Sequence, residues 1–363
     1  MNAGLRRAIN RSRLWIRKPD PRHIVALTYA LTYRCNGRCR HCGIWQHALS
    51  DTNGAARELT TSEVEAIWTD NVEYFTQLQS VHFTGGEPFL RHDFSELCNR
   101  SLERFPNARV HVSTNGLDGD LVVRTLTAIG DLERVSLSVS LDGLRDTYQA
   151  IRGVDGSADV QETLQRVRRT FPDVALGINV TIVRENASHL QELYAFATRL
   201  GADFGMQVAH KSAYYHNVDD DLSLRPDQLH QIAQTAEAIV REYRTNRGLL
   251  KSLVDVEPYY FARLAEMADS TAPRSMRERC FSGTHSLFLD PYGNVYPCLM
   301  SSTPMGRLPQ QALRDFWHSA PAIRARHGIA QGACRCWTSC EVFPSLARDV
   351  SLVFWNLKTL GRR

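Results

Sequence analysis

At 363 residues, 43% hydrophobic and 23% charged, the chain can bury a sizeable core in one large domain or two, and its composition is that of an ordinary globular protein. No apolar run approaches the roughly 18 residues of a membrane-spanning helix, and no apolar signal segment opens the sequence, which points to the cytoplasm. The net charge is +4 but uneven: residues 1–22 carry seven cations against Asp20 alone, a local +6. The rest therefore sums to −2, which leaves no nucleic-acid footprint across the body of the chain.

In chain order, the basic arm of residues 1–22 interleaves Leu5, Ile9, Trp15 and Ile16 with its arginines. That pattern suits either peripheral contact with an anionic membrane at its inner face or a solvated arm. "HIVALTYALTY" (23–33) then reads as a strand. A helix is expected over 60–75, opened by the capping box "TTSE". Strands at 80–84, 109–114, 134–140, 174–183 and 204–209 alternate with helices at 93–105, 118–129, 159–170 and 187–200. Cys98 falls in one of these helices and reads as a core residue. Six strands with helical crossovers imply a parallel α/β sheet, a barrel or part of one. Residues 226–268 are helical, and the aromatics of "PYYFARLAEMA" (258–268) either line a channel or fill core. The tail "SLVFWNLKTLGRR" either touches a bilayer or docks on the barrel.

Four polar or glycine-rich motifs fall at the C-terminal ends of the first four strands, the rim on which barrel enzymes build their sites. They are "YRCNGRCRHCGIW" (33–45), "GGEPF" (85–89), "STNG" (113–116) and "SLDG" (140–143). Singly each could be a turn; together they mark one site. Nine cysteines in a chain without export signals point to metal or redox chemistry before disulfides. Cys35, Cys39 and Cys42 are spaced for an iron–sulfur cube with three thiolates, which leaves one iron open to another ligand. Zinc is the alternative, with His41 or His47 completing the tetrahedron.

The CxxxCxxC loop after strand one, followed by GGEP after strand two, resembles the radical S-adenosylmethionine (SAM) superfamily over about residues 24–210. The resemblance implies a partial (β/α)6 TIM-like barrel in which Cys35, Cys39 and Cys42 hold a [4Fe–4S] cluster, with SAM at the open iron. It implies reductive cleavage of SAM to a 5′-deoxyadenosyl radical that abstracts a substrate hydrogen, and an electron donor such as flavodoxin or ferredoxin. By the same resemblance Gly85, Gly86 and the Glu87 region meet the SAM ammonium. Ser113, Thr114 and Asn115 lie near ribose and methionine, and Ser140 and Arg152 contact SAM. His41 stands where relatives place an aromatic beside the adenine. For Arg152 the alternative is a solvated surface charge.

Of the five C-terminal cysteines, Cys280 and Cys298 bracket an expected β-hairpin with its turn at "DPYGN", followed by a helix over 310–319. Cys334, Cys336 and Cys340 come next, in "CRCWTSC". The arrangement resembles the twitch or SPASM extension of radical SAM enzymes, a small α+β module. It implies one auxiliary [4Fe–4S] cluster on Cys280, Cys298, Cys336 and Cys340, with Cys334 spare or alternative. A zinc knuckle is the other reading. Leu299 stands where sulfatase-maturing relatives carry an aspartate base, so Tyr296, His285 or a barrel residue would have to replace it. The expected division is an arm (1–22), the barrel (23–225), a helical connector (226–275), the auxiliary module (276–345) and a basic amphipathic tail (346–363).

The leading expectation is thus a radical SAM enzyme acting on a small metabolite, sugar or lipid-type substrate. No peptide-recognition domain fits ahead of Cys35, which disfavours the alternative of a peptide-modifying maturase. A non-catalytic iron–sulfur or zinc protein would need neither the GGEP nor the SLDG motif.

Overall fold

A computed structural model describes residues 23–50, 57–246, 255–269, 279–332, 336–346 and 351–360. The expected basic arm and Cys334 lie outside the described residues. Six strands follow the expected order: β1 (Ala26–Ala30), β2 (Ser80–Thr84), β3 (Arg109–Thr114), β4 (Val135–Ser140), β5 (Ala175–Ile182) and β6 (Asp203–Val208). They run parallel in the order β6-β5-β4-β3-β2-β1 and form an open α/β sheet, a partial barrel. Three more strands extend it beyond β1: β7 (Ser286–Leu289), β8 (Asn294–Tyr296) and β9 (Gly306–Arg307). The expected C-terminal hairpin is present as β7–β8, antiparallel, but it is not a detached module. β7 lies parallel to β1, Ala26 opposite Ser286, and so joins the barrel's own sheet.

Alternation along the strands separates two faces. Val81 and Phe83, Val110 and Val112, Leu137 and Val139, Ile178 and Val180, and Phe204 and Met206 are all buried on one face. Each such fully buried side chain contributes about 1.5–3 kcal/mol. The opposite face carries His82, His111, Ser113, Ser136, Ser138, Asn179 and Gln207, which are partly or fully exposed. Helices α1 (Ile44–Ser50), α2 (Thr61–Asp70), α3 (Phe94–Arg104), α4 (Gly119–Thr127), α5 (Asp146–Arg152), α6 (Ser157–Thr170) and α7 (Leu190–Leu200) link the parallel strands. α3 turns Phe94, Leu97, Cys98 and Leu102 inward, so Cys98 is a core residue as expected. The capping box opens α2, with Thr60 Oγ1 accepting from Glu63 N–H.

The connector is two helices, α8 (Pro226–Asn246) and α9 (Glu257–Ala268), and α9 buries Tyr260, Phe261 and Leu264 as core. Instead of one helix over 310–319, a short turn Leu313–Trp317 precedes α10 (Ala320–Ala330), because Ser319 caps a new start ahead of Pro321. α11 (Ser339–Leu346) and α12 (Ser351–Leu360) follow. The described part of the tail docks: Trp355 meets Tyr259 edge-on at 5.0 Å, and Asn356 Nδ2 donates to Asp255 O. Phe354 and Leu357 stay exposed on its outer side. No described helix is long and apolar enough to cross a membrane.

Candidate active site

The cysteine loop is laced to the strand ends around it. Gly86 N donates to Thr32 O at 2.7 Å and Glu87 N to Arg34 O at 2.8 Å. This approach requires glycine: a Cβ at Gly86 would stand 2.1 Å from Arg34 O, and Gly85 has φ +128° with Thr32 O 2.5 Å from where a Cβ would be. On the other side, Arg38 N and Arg40 N donate to the carbonyls of Arg152 and Ile151 at the end of α5. Cys35 and Cys39 place their Sγ atoms on either side of Gly37, 3.6 and 3.7 Å from the position of a Cβ there.

Glu87 is almost wholly buried and serves as a fastener. Oε1 accepts from Thr114 Oγ1 and Phe89 N, and Oε2 accepts from Asn115 N at 2.7 Å. Burial pushes its carboxyl up to about 7. Asn115 in turn donates from Nδ2 to Asn36 Oδ1 at 2.6 Å and stands 3.9 Å from Cys35 Sγ. GGEP and STNG therefore clamp the cysteine loop as one unit, while Gly85, Gly86, Ser113, Thr114 and Asn115 face the cavity. Glu87 lies behind this wall. Ser113 Oγ also pairs with His82 Nε2 at 2.8 Å.

Arg152 is buried, so the surface-charge alternative does not hold. Its Nε pairs with Asp142 Oδ2 at 2.6 Å and its Nη1 stands 3.6 Å from Cys39 Sγ. Asp142 is completely buried and takes Thr181 N on its other oxygen. Burial raises the thiols of Cys35 to about 11 and Cys42 to about 12, and Arg152 opposes the rise at all three cysteines. His41 is pulled down to about 4 by burial; its Nε2 lies 3.8 Å from Asp142, and its buried Nδ1 has no hydrogen-bond partner among the described residues.

These residues line one open cavity, into which Cys35, Cys39, Cys42, His41, Ser140 and Arg152 all reach. Thr181, Gln207, His210, Tyr215 and Thr338 complete its wall. Sequence reasoning missed these five, and Asp142: His210, Tyr215 and Thr338 stand alone in unpatterned stretches, and Asp142 sits in a dipeptide that reads as a turn. The polar alternation of β5 and β6 was the signal for Thr181 and Gln207. Tyr296 and His285 are not on the wall: Tyr296 bonds Asp290, and His285 Nδ1 pairs with His23 O.

The donor set fits the cluster and SAM. Three thiols with no disulfide partner share a cavity with a guanidinium suited to a carboxylate and with glycine backbone that a side chain would block. Among the described residues no three His, Cys, Asp or Glu side chains gather closely enough to cage a single ion. A zinc ion would need the thiols drawn together at about 2.3 Å from its centre, whereas a cube takes each thiolate on a separate iron.

A second group of thiols lies in the C-terminal region. Cys298 and Cys336 are buried, and Cys280 and Cys340 are half-buried. Burial raises the thiol of Cys298, and Glu341, Cys336 and Cys280 raise it further. Burial, and then the thiols of both groups (Cys340, Cys42 and Cys336), raise the Tyr215 hydroxyl, so this ring is within electrostatic reach of both. Leu299 packs with Ala30 and Phe288, and its carbonyl accepts from Ser212 Oγ.

The sequence pattern of the radical SAM superfamily matches residues 29–197, and that of an iron–sulfur cluster-binding domain, SPASM, matches residues 280–341. The mycofactocin maturase MftC of Mycobacterium ulcerans is 28% identical over 317 residues, 85% of this chain and 79% of its own. The PqqA peptide cyclase of Xanthomonas campestris pv. campestris is 28% identical over 343 residues, 86% and 82% of the two chains. In fold, the chain is similar to SuiB of Streptococcus suis (TM-score 0.59, 17% identity, 85% of this chain and 68% of that one). It is also similar to anSMEcpe with bound AdoMet (TM-score 0.59, 15% identity, 93% and 96%). The chain is a radical SAM enzyme: it belongs to that superfamily, whose cofactors are a [4Fe–4S] cluster and SAM, and it carries a SPASM domain for auxiliary iron–sulfur chemistry.

Proposed function

We propose that this enzyme modifies a peptide. The observation that supports this most is similarity over about 85% of the chain to a maturase and a peptide cyclase, which favours the peptide reading over a small metabolite, sugar or lipid. The uncharged, hydrogen-bonding inner face of the sheet supports it, because amides and hydroxyls suit that surface better than acyl chains do.

On this reading Cys35, Cys39 and Cys42 hold the barrel cluster, and Cys280, Cys298, Cys336 and Cys340 hold the auxiliary one. The bound cluster and SAM supply one-electron cleavage of the sulfonium and a 5′-deoxyadenosyl radical. The chain's own residues bind and shield. Gly85 and Gly86 leave room for the amino group, and Arg152, Ser140 and Ser113 to Asn115 orient SAM. His41, held neutral by burial, would line the adenine side of the bound cofactor without adding charge. Glu87 serves this site from behind, by fixing the loops. An electron donor such as flavodoxin or ferredoxin is required. We keep the five-part division of the chain, with the auxiliary module continuing the barrel's sheet.

The test is co-expression with short peptides encoded beside the gene, followed by anaerobic assay of the reconstituted enzyme and mass spectrometry of each peptide. A peptide mass change that requires SAM and Cys39 is expected. SAM cleavage stimulated by a small metabolite, with every peptide unchanged, would overturn the peptide reading.

A further inference from the structure

Beside the C-terminal thiols lies a carboxylate that the radical chemistry does not use. Glu341, 1% exposed, follows Cys340 in α11. Its Oε2 accepts from Ser282 Oγ at 2.5 Å and from Ser286 Oγ at 2.7 Å. Both serines are themselves buried, Ser282 in the loop after Cys280 and Ser286 at the start of β7. Ser282 Oγ also stands 3.1 Å from Cys280 Sγ. The other carboxylate oxygen, Oε1, is buried and has no hydrogen-bond partner among the described residues. A buried carboxylate with one oxygen unbonded is costly to keep unless it serves the groups around it.

The connectivity is specific. Cys280 reaches the site from a loop, and Cys336 and Cys340 reach it from the far end of the domain. Glu341 ties the two together through a hydroxyl already in contact with a sulfur, beside a second tie in which Ser345 Oγ accepts from Phe281 N at 3.1 Å. Groups that hold a metal ligand's orientation without touching the metal commonly tune affinity by 10–100-fold.

We propose that Glu341 is a positioning residue of the auxiliary iron–sulfur site: by taking the Ser282 and Ser286 hydroxyls it pins the loop that carries Cys280 to β7. This rests on the reading of Cys280 and Cys340 as auxiliary-cluster ligands. Ser282 is two residues from Cys280, so loss of the carboxylate releases the Ser282 hydroxyl and with it the placement of the loop that presents the cysteine. Ser286 anchors Glu341 to β7.

The experiment uses the full chain with Cys35, Cys39 and Cys42 replaced by alanine, so that reduced iron reports on the auxiliary site alone. Each variant is reconstituted anaerobically, its iron counted and its reduced electron paramagnetic resonance spectrum recorded. Glu341→Ala is expected to lose more than half of the about four irons of one cube and to shift the signal. Glu341→Gln, which keeps an acceptor oxygen, should recover most of both. Ser282→Ala, a small change that preserves folding, should shift the signal, and Ser286→Ala should shift it less. Wild-type iron and spectrum in Glu341→Ala would overturn the proposal. So would equal shifts in the two serine variants, which would indicate general packing. If the parent triple variant binds no iron at all, the auxiliary-cluster reading falls and takes this proposal with it; iron present but indifferent to Glu341 sinks the proposal alone.

Discussion

The two groups of cysteines carry the same donor atom in opposite settings. Cys35, Cys39 and Cys42 open onto a cavity, with the guanidinium of Arg152 3.6 Å from one sulfur. In the C-terminal group Cys298 and Cys340 feel a carboxylate, Glu341, and Cys336 and Cys340 lie within electrostatic reach of Tyr215 and Tyr260. A cation with three thiols and an open side suits chemistry on an incoming ligand. Thiols set beside a carboxylate, two of them buried, suit a group that is held and not approached. Metal sites divide along this line generally, catalytic ones keeping a position open and structural ones closing it.

The sharpest way to break the comparison is Cys39→Ala. SAM cleavage should fall to background and bound iron should drop from about eight to about four per chain, counted after anaerobic reconstitution. Loss of all iron would mean that the two groups are not independent.

Next in size is Arg152→Met, which leaves Asp142 buried without its cation. Removing one partner of a buried pair costs about 3–5 kcal/mol, measurable as a lower urea midpoint for the apoprotein. An unchanged midpoint would show that the cation does not distinguish the barrel site.

Glu87 gives a pH-dependent effect. Its folded-state carboxyl is raised by burial to about 7 from an ordinary 4.5, so the folded chain keeps a proton that the unfolded chain releases. Its contribution to stability is greatest below about 4.5, declines as pH rises toward about 7, and is flat above. Glu87→Gln should remove that slope from the stability–pH curve, and a curve parallel to wild type would count against it.

The smallest effect serves as a control. Thr60→Ala removes the cap of α2, at a cost of about 1 kcal/mol, and should lower the melting temperature while leaving iron at both sites unchanged. Iron loss there would mean that general stability, not local chemistry, governs the two sites.

Much of this was legible in the sequence because it is local. Strands β2 to β6 announce themselves by alternation, and three cysteines in eight residues declare a metal loop whatever surrounds them. Gly85-Gly86 reads as a close approach, and the structure supplies the carbonyls approached. What escaped depends on contacts between distant residues. Asp142 looks like half of an Asp-Gly turn until Arg152 folds against it. Glu341 lies in "SCEVFPSL", where nothing along the chain signals that Ser282 and Ser286 will meet it. The parallel pairing of β7 with β1 joins residues some 260 positions apart, beyond any periodicity.

That pairing has a consequence for how the protein can be divided. A strand at the border of a sheet presents a row of unsatisfied amides and carbonyls, a template for another chain. Without β7, β1 would be such a border, a five-residue stretch of buried, mostly apolar side chains leading straight into the cysteine loop. The C-terminal region is therefore the selvedge of the barrel as well as a holder of thiols. A shortened chain ending near residue 225 should gather into aggregates through that raw margin, even with every SAM-facing motif intact.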